Sequence, residues 1–380
     1  MKIAINCAFY QPQGGGIKEY IQNLIENLSI IAPKDCEIIL YVLSDYYDYA
    51  KENLKTKFKI KQIPFKGRGL INTIIRSIFE GFYWRKEEKV EKWDLFHSPF
   101  FHSPRLKSSK LIVTVHDLRF HRYPNTYTLL RFLFLKKAVK RAVKRADKII
   151  SISYFTKEEL IDAYKIPDNK IIVVHEAINP DHFKKNFTLS QEEGKFVKKL
   201  GKDPFVLSVG HLEPRKNYAR LIRAFKKITP KIPKDSKLVI VGKLGHDYAE
   251  TLSLINQNNN VLYLNFVSQD MLNWLYSNAT LFAFPSFYEG FGFPPMEAAM
   301  HGTISAVSNT SSIPEVCGKT ALYFNPFDEE DIANKLRAGI TDENLRAKLQ
   351  SLLPEHLSKF SWQKNAEQTL NLYYSISQQN

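Results

Sequence analysis

The sequence has few cysteines and no long apolar run, and these absences exclude several classes of protein. Its three cysteines among 380 residues, Cys7, Cys36 and Cys317, are too scattered for a disulfide framework or a metal knuckle. We expect each of them to be reduced in a core. No stretch of about 18 uncharged apolar residues occurs, so a transmembrane helix is not expected. Residues 1–12 contain no apolar run of signal-peptide length. Together these features predict a cytoplasmic protein.

Residue clusters of the kind that hold metal ions are also missing. No Asp-x-Asp sequence follows an apolar strand, and no set of Cys and His residues has metal-site spacing. The acidic run 328–331 opens a predicted helix, where acidic side chains complement the helix dipole. We therefore expect no metal ion and no cofactor.

Positive charge is abundant and unevenly distributed. The net charge is +15, and residues 51–150 contain 25 Lys and Arg against 8 Asp and Glu. Such a region suits nucleic acid, an anionic membrane or a phosphorylated substrate. Because no pattern of stacking aromatic residues accompanies it, we expect no nucleic-acid partner and favour an anionic membrane surface.

Two successive α/β patterns divide the chain. An apolar strand at 2–9 is followed by Gly14, Gly15 and Gly16 and then by apolar residues at helical spacing, which is how a parallel α/β unit begins. A polar, lysine-rich stretch at 184–203 interrupts the pattern and is interpreted as the region of the interdomain linker. Strands and helices restart near residue 205. We predict two Rossmann-like domains, 1–185 and 186–360, with ligands bound beyond the carboxyl ends of their strands.

The most informative motif spans residues 282–302, FAFPSFYEGFGFPPMEAAMHG. An apolar strand leads into a glycine-containing loop, and two prolines begin a helix, where the missing N–H of proline leaves no bond unmade. Glycine lets backbone N–H groups approach a ligand closely, and a helix N-terminus favours an anion such as a diphosphate. Glu289 and Glu297 are predicted to face one cavity, where a carboxylate suits the paired hydroxyls of a ribose.

A second motif, FVLSVGHLEPRKN at 205–217, places two cations at the end of a strand. The strand leads to Gly210, and Arg215 and Lys216 precede an apolar-periodic helix. Adjacent Arg and Lys side chains at this place suit a diphosphate, and fixed cations there stabilise negative charge that develops on a leaving phosphate.

A third motif places His116 and Asp117 directly after the strand at 111–115. Such a pair is either a structural hydrogen bond or part of a reactive site, and the residues alone leave both open.

These motifs together resemble those of the family 4 glycosyltransferases, which are retaining enzymes of the GT-B fold. Residues 282–302 carry the resemblance most specifically, because Glu289 and Glu297 match the two glutamates of the family pattern. The resemblance covers essentially the whole chain. It implies two Rossmann-like domains with parallel sheets facing across a cleft, and a C-terminal helix at 361–380 that crosses back to the first domain.

The resemblance also implies roles for single residues. Catalytic roles fall to His116, Arg215, Lys216 and Glu289; Glu289 lies by the donor sugar, whereas Glu297 holds the ribose. The nucleotide-sugar is expected to contact a larger set that combines the glycine loops with these side chains: Gly15, Gly16, Gly210, Arg215, Lys216, Glu289, Gly290, Phe291, Gly292, Phe293 and Glu297.

The implied activity is retaining transfer of a hexose from a nucleotide-sugar to a glycan or lipid-linked acceptor in bacterial polysaccharide or lipopolysaccharide assembly. GDP-mannose is the favoured donor, with UDP- or dTDP-sugars as alternatives. A nucleotide-sugar epimerase of the same fold is a further alternative, against which the Glu289–Glu297 spacing argues. A basic binding module is the non-enzymatic alternative. The sequence departs from the family at 175–181 and matches nothing recognisable at 64–92.

Two segments predict peripheral association with the inner face of the plasma membrane. Residues 131–148 contain eight basic residues and one acid, and on a helix they form a seam of small residues beside rows of Lys and Arg. The seam also suits a docked helix with a solvated face. In the segment 70–86, Phe79, Phe82 and Trp84 are predicted to insert into a lipid surface.

Overall fold

A computed structural model describes residues 1–13, 15–67, 70–101, 103–179, 183 and 187–377, with only the backbone described at 70–78. The chain forms two compact units. The first comprises Met1–Ala177 and Phe360–Asn380, and the second comprises Ile178–Lys359. The sequence predicts domain boundaries after residues 185 and 360, and the two units divide after Ala177 and Lys359.

The first unit contains a seven-stranded parallel sheet with the order β3-β2-β1-β4-β5-β6-β7. Its strands are β1 Lys2–Asn6, β2 Glu37–Leu43, β3 Lys59–Ile63, β4 Leu95–Ser98, β5 Lys110–Val115, β6 Lys148–Ser151 and β7 Ile171–Val173. Its helices are α1 Gly15–Ile31, α2 Tyr47–Asn53, α3 Leu70–Glu91, α4 Arg119–Arg122, α5 Leu129–Arg145, α6 Tyr154–Tyr164 and the last helix of the chain, α16 Trp362–Ser377.

The second unit contains a six-stranded parallel sheet with the order β10-β9-β8-β11-β12-β13. Its strands are β8 Phe205–Val209, β9 Lys237–Val241, β10 Val261–Leu264, β11 Leu281–Phe284, β12 Ser305–Ser308 and β13 Ala321–Phe324. Its helices are α7 Gln191–Leu200, α8 Tyr218–Ile228, α9 Ala249–Asn256, α10 Gln269–Asn278, α11 Phe293–Met300, α12 Ile313–Cys317, α13 Glu329–Thr341, α14 Glu343–Ser351 and α15 Leu353–Leu357.

The strand order of each sheet reverses at one point. The central strands are short runs of apolar residues because helices cover both of their faces, and such runs are typical of parallel sheets. The order reverses between β1 and β4 in the first unit and between β8 and β11 in the second. In open parallel sheets, the crevice beyond the carboxyl ends at such a reversal is where ligands bind. A ligand site is therefore expected at the loops that follow these four strands.

The C-terminal helix returns to the first unit, as the sequence predicted. Helix α16 packs against α1, and its residues Trp362, Ala366 and Tyr373 belong to the core of the first unit. Its Tyr373 hydroxyl lies 2.6 Å from Nδ1 of the buried His97 at the end of β4.

The interpretation of 184–203 as a linker region was wrong for most of its length. Residues 191–200 form α7, whose start is fixed by a capping box between Ser190 and Glu193. Phe196, Val197 and Leu200 pack against the core of the second unit. Three apolar residues were too few to reveal a helical period. Residues 184–186 lie outside the described part of the chain.

The prediction that Trp84 inserts into a membrane was also wrong. Trp84 is fully buried in the first core, where its ring packs edge-on against Tyr41 and Phe96. Phe79 and Phe82, on the same helix α3, are exposed. All three cysteines are free and buried, as expected. Among the described residues, no helix is both long and apolar enough to cross a membrane.

Candidate functional site

The predicted phosphate-binding residues converge where the strand order of the second sheet reverses. Gly210 follows β8, and Arg215 and Lys216 end a short 3-10 turn before α8. The loop after β11 contributes Glu289 to the same place. Two loops separated by more than 70 residues in sequence thus meet beyond the carboxyl ends of adjacent strands.

Arg215, Lys216 and Glu289 form a buried ionic cluster. Oε1 of Glu289 lies 2.7 Å from Nζ of Lys216 and 2.8 Å from Nη1 of Arg215, and it also accepts a hydrogen bond from Ser286. The second carboxylate in the cluster is Glu213, which accepts hydrogen bonds from Arg215. All four charged side chains are at most 13% exposed. Burial of this many charges requires mutual pairing, and the pairing is provided here.

The electrostatics of the cluster fix the charge of Glu289. Burial would raise the pKa of this carboxyl, but the charges of Lys216 and Arg215 outweigh that effect and lower the pKa to about 2. The charges of Glu289 and Glu213 likewise hold the guanidinium of Arg215 protonated against the effect of burial. A diphosphate that reaches these two cations therefore competes with an ionised carboxylate.

Two glycines allow the strand ends to approach one another. Gly210 has a φ of 151°, and a Cβ there would lie 3.3 Å from Cε of Lys216. Gly242 follows β9 and has a φ of 152°; a Cβ there would lie 2.0 Å from the carbonyl oxygen of Gly210, so only glycine fits. Gly242 was not among the site residues predicted from the sequence. Its position directly after an apolar strand could have indicated it.

Asn217 is a second residue that sequence reasoning missed. It has a left-handed backbone conformation, which Asn tolerates, and it is buried. Its side-chain amide donates to the carbonyl oxygens of Pro285, 3.1 Å away, and Pro326, 2.8 Å away. Asn217 therefore ties the loops that follow β11 and β13 to the start of α8.

The glycine loop and α11 have the predicted arrangement. Gly290 and Phe291 lead to Gly292, which has a φ of 127° and directly precedes the helix. Helix α11 begins at Phe293, one residue before the two prolines. Oγ of Ser312 donates to the carbonyl oxygens of Glu289 and Phe291, which holds the loop. In the first turn of α11, Phe293 has a backbone N–H, whereas Pro294 and Pro295 lack one. The positive end of the helix dipole still lies at this place.

Glu297 lies within α11 and is half-buried. Its Oε2 accepts a hydrogen bond from the hydroxyl of Tyr276, 2.7 Å away. The structure brings Glu289 together with the two cations, whereas Glu297 is held by Tyr276.

His116 lies in the first unit, at the end of β5, and is held from both sides. Its Nδ1 lies 2.9 Å from Oε1 of the buried Glu176, and its Nε2 lies 2.8 Å from the carbonyl oxygen of Pro99. A carbonyl and a carboxylate both accept, so the two ring nitrogens face acceptors on both sides, and this arrangement favours the protonated ring. Burial lowers the pKa of His116, but the hydrogen bond and charge of Glu176 dominate and raise it above the ordinary value.

The partner of His116 is therefore Glu176 and not the adjacent Asp117. The carboxylate of Asp117 instead accepts from the backbone N–H of Arg119, 3.0 Å away. Glu176 belongs to the segment 175–181 that departs from the family pattern, and its position 60 residues from His116 gave no sequence signal.

The remaining predicted residues are the glycines before α1. Gly15 has a φ of 58° and is the first residue of α1, and Gly16 follows it. Both are exposed, and a Cβ on either would contact nothing within 4 Å. Gly14 lies outside the described residues. In the described part of the chain, no group of three or more His, Cys, Asp or Glu side chains is arranged to hold a metal ion.

Comparison with known proteins identifies the family. The family model described as "Glycosyltransferase Family 4" matches residues 14–182, and the model described as "Glycosyl transferases group 1" matches residues 190–351. The O-antigen chain mannosyltransferase RfbU of Salmonella typhimurium is 32% identical over 333 residues, which cover 86% of this chain and 87% of that protein. The O-antigen chain mannosyltransferase B of Escherichia coli is 27% identical over 284 residues, covering 73% and 74%.

A solved structure supports the same assignment at the level of the fold. The crystal structure of Anabaena Alr3699/HepE in complex with UDP and glucose aligns with a TM-score of 0.70 and 16% identity, covering 99% of this chain and 100% of that one. The buried Arg–Lys–Glu cluster, the family models and the relative that matches along most of its length agree, and the chain belongs to the family 4 glycosyltransferases and has their GT-B fold.

Proposed function

We propose that this glycosyltransferase moves a mannosyl residue from GDP-mannose, with retention of configuration, to a glycan or lipid-linked acceptor in bacterial polysaccharide or lipopolysaccharide assembly. The observation that carries the proposal is the buried pair Arg215 and Lys216 beside Glu289, where two sheet loops meet. The choice of mannose and of O-antigen-type assembly rests on the printed names of two relatives, both O-antigen chain mannosyltransferases.

The reaction breaks the bond between the anomeric carbon of the donor sugar and the β-phosphate oxygen. Negative charge then develops on that phosphate, and Arg215, Lys216 and the N-terminus of α11 stabilise it more than they stabilise the bound donor. The acceptor hydroxyl attacks from the same face and gives its proton to the leaving phosphate oxygen. These fixed cations supply the charge stabilisation, so we propose that no metal ion is needed.

His116 is proposed to act as a positioning residue rather than as a base. Both of its nitrogens are engaged by protein acceptors, Glu176 and the carbonyl oxygen of Pro99, so neither is free to take a proton from the acceptor hydroxyl. We propose that the protein acts in the cytoplasm at an anionic membrane surface, because α5 exposes several lysines.

The test compares donors before it measures turnover. A ligand that binds only the folded state raises its stability, so the melting temperature is measured with GDP-, UDP- and dTDP-sugars. GDP-mannose should give the largest shift, and a larger shift with a UDP- or dTDP-sugar would replace it as donor. Product analysis with and without acceptor then separates transfer from epimerisation, because an epimerase converts the donor in the absence of acceptor.

A further inference from the structure

The first unit contains a cavity of about 500 Å³ bordered by α3 and α5. A cavity of this size is within the range of small-molecule sites. Phe9, just after β1, and Phe100, just after β4, line its base, with their ring centroids 4.1 Å apart. The cavity therefore opens where the strand order of the first sheet reverses, which is where a ligand of a parallel sheet is expected.

Among the described residues, four guanidinium groups line this cavity: Arg105, Arg131, Arg141 and Arg145. No ion pair between described residues involves any of them. Arg145 donates to the carbonyl oxygen of Ser103, and burial together with the charges of Arg105 and Arg141 lowers its pKa. Four cations that share a cavity without a carboxylate partner favour an anionic ligand, and guanidinium groups suit phosphate.

One acidic side chain of the described part of the chain also lines the cavity, and it is engaged elsewhere. Glu80 is buried, and its carboxylate accepts a hydrogen bond from the indole N–H of Trp84, 3.0 Å away.

The helices that border the cavity also expose apolar side chains. On α3, Phe79 is 52% and Phe82 is 70% exposed. On the first two turns of α5, Leu130 is 82% and Phe134 is 61% exposed, and Leu129 and Leu133 are exposed beside them. Exposed apolar patches of this kind mark binding surfaces for partners or lipids. The ligand therefore carries an apolar part beside its anionic group.

The cavity adjoins the predicted catalytic residue of the first unit. Nε2 of His116 donates to the carbonyl oxygen of Pro99, and the next residue, Phe100, lines the cavity. An amphipathic anion in the cavity would contact Phe100, the residue that follows the partner of His116. This closeness to a predicted catalytic residue favours an acceptor substrate over a bulk lipid.

We propose that this cavity holds the phosphate or diphosphate of the lipid that carries the acceptor glycan, with its hydrocarbon chain along the exposed apolar residues of α3 and α5. The proposal rests on the proposed transfer to a lipid-linked acceptor and adds to it the site and the chemistry by which that acceptor is recognised. Arg105 and Arg141 contact the phosphate, while Phe134 and Phe82 border the chain.

Farnesyl diphosphate is a soluble probe that combines the two features. Its affinity for the full chain is measured by calorimetry with saturating GDP or UDP present, so that the Arg215–Lys216 site is already filled. Wild-type protein should bind farnesyl diphosphate at least tenfold more tightly than farnesol or inorganic diphosphate. The double variant Arg105→Gln with Arg141→Gln should lose at least tenfold in affinity. Neither arginine has a hydrogen bond or ion pair between described atoms, so folding should be retained.

The matched control removes the same charge from the exposed face of the same helix. Lys140→Gln with Lys144→Gln should keep the affinity for farnesyl diphosphate within about twofold, because these lysines do not line the cavity. Equal weakening in both double variants would mean that the probe senses only net charge. Equal binding of farnesol would mean that the cavity is an apolar groove without a phosphate site.

Two further arms separate the proposal from its alternatives. If phosphatidylglycerol vesicles displace farnesyl diphosphate in proportion to their headgroups, the cavity is a membrane-anchoring site and the acceptor proposal is overturned. The melting-temperature shift with a nucleotide-sugar should be the same in wild-type protein and in the Arg105/Arg141 variant. Loss of that shift in wild-type protein itself would instead contradict the proposed function.

Discussion

Nζ of Lys216 lies 2.7 Å from Oε1 of Glu289, and the same oxygen lies 2.8 Å from Nη1 of Arg215. One carboxylate thus pairs with both buried cations that the sequence assigns to a leaving diphosphate, and Glu213 supplies the second negative charge through Arg215. The pKa of Glu289 is about 2, so its carboxylate stays ionised at neutral pH. The cluster therefore already holds a negative charge at the place where an anionic ligand is expected to bind.

Removal of either cation should slow the reaction. Arg215→Ala and Lys216→Ala should each lower kcat/KM by roughly 10²-fold or more, because a fixed charge partner of the transition state is lost. Steady-state kinetics with saturating acceptor measure this effect. Lys226→Ala, which removes an exposed cation from the following helix α8, should leave the rate within about twofold. Near-normal turnover in both Arg215→Ala and Lys216→Ala would rule out that these cations stabilise the leaving diphosphate.

The two glutamates should separate binding from turnover. Glu297→Ala should mainly weaken free nucleotide, because its expected partner is the ribose. Glu289→Gln should lower turnover yet leave nucleotide binding at least as tight, because the competing negative charge is gone. Calorimetry with free nucleotide measures both affinities, and the roles are reversed if the Glu289 variant is the weaker binder.

Glu289→Gln should also destabilise the unliganded protein. Breaking a buried ion pair on one side leaves uncompensated charge, at a cost of about 3–5 kcal/mol. Nucleotide diphosphate should then raise the melting temperature of this variant by more than it raises that of wild-type protein. An equal shift in both proteins would show that the diphosphate does not reach Arg215 and Lys216.

If Arg215 and Lys216 supply the positive charge that a divalent cation supplies in other enzymes, as proposed, activity should survive excess EDTA. The measurement is initial rate after dialysis against chelator. Full loss of activity, restored by Mn²⁺ or Mg²⁺, would contradict metal independence.

The His116–Glu176 pair should make the stability of the first unit depend on pH. The folded-state pKa of His116 is raised above its unfolded value of about 6.5, so the pair stabilises the fold below about pH 6.5. That contribution is lost as pH rises through the raised pKa. His116→Gln should remove this dependence, and urea unfolding at several pH values measures it.

An NMR titration tests the cause of this shift directly. In Glu176→Gln, the pKa of His116 should fall, because the charge that raises it is gone. The buried His97 provides an internal reference, since burial lowers its pKa to about 3 and it should stay neutral throughout. An unchanged His116 titration in Glu176→Gln would exclude Glu176 as the cause.

Much of the fold could be predicted from the sequence because strands and helices of parallel sheets follow from local apolar patterns. Apolar runs of strand length identified most of the strands, and two motifs, one with Arg215 and Lys216 and one with Glu289, each indicated an anion site at a strand end. Glu176 was not readable, because its contact with His116 depends on how two strand ends meet and not on a motif. Trp84 was misjudged because residues two apart lie about 200° from each other around a helix. Phe82 and Trp84 therefore cannot face the same surface, and it is Trp84 that faces the core.

Helix α5 should hold the protein to anionic membranes through its lysines. Val139, Ala142 and Val143 are buried, as predicted for the seam, while Lys137, Lys140 and Lys144 are exposed. Each basic residue near an anionic leaflet contributes about 1 kcal/mol, and salt weakens that attraction. The enzyme should therefore sediment with phosphatidylglycerol vesicles, and less so as salt rises.

Charge reversal distinguishes this surface from general basicity. The triple variant Lys137→Glu, Lys140→Glu and Lys144→Glu should release the protein from vesicles while its melting-temperature shift with nucleotide-sugar is unchanged. Reversal of three exposed lysines in the second unit, Lys226, Lys231 and Lys234, changes the net charge equally and should leave sedimentation intact. If both triple variants are released alike, or if neutral phosphatidylcholine vesicles sediment the wild-type protein equally well, the lysines of α5 form only a solvated helix face.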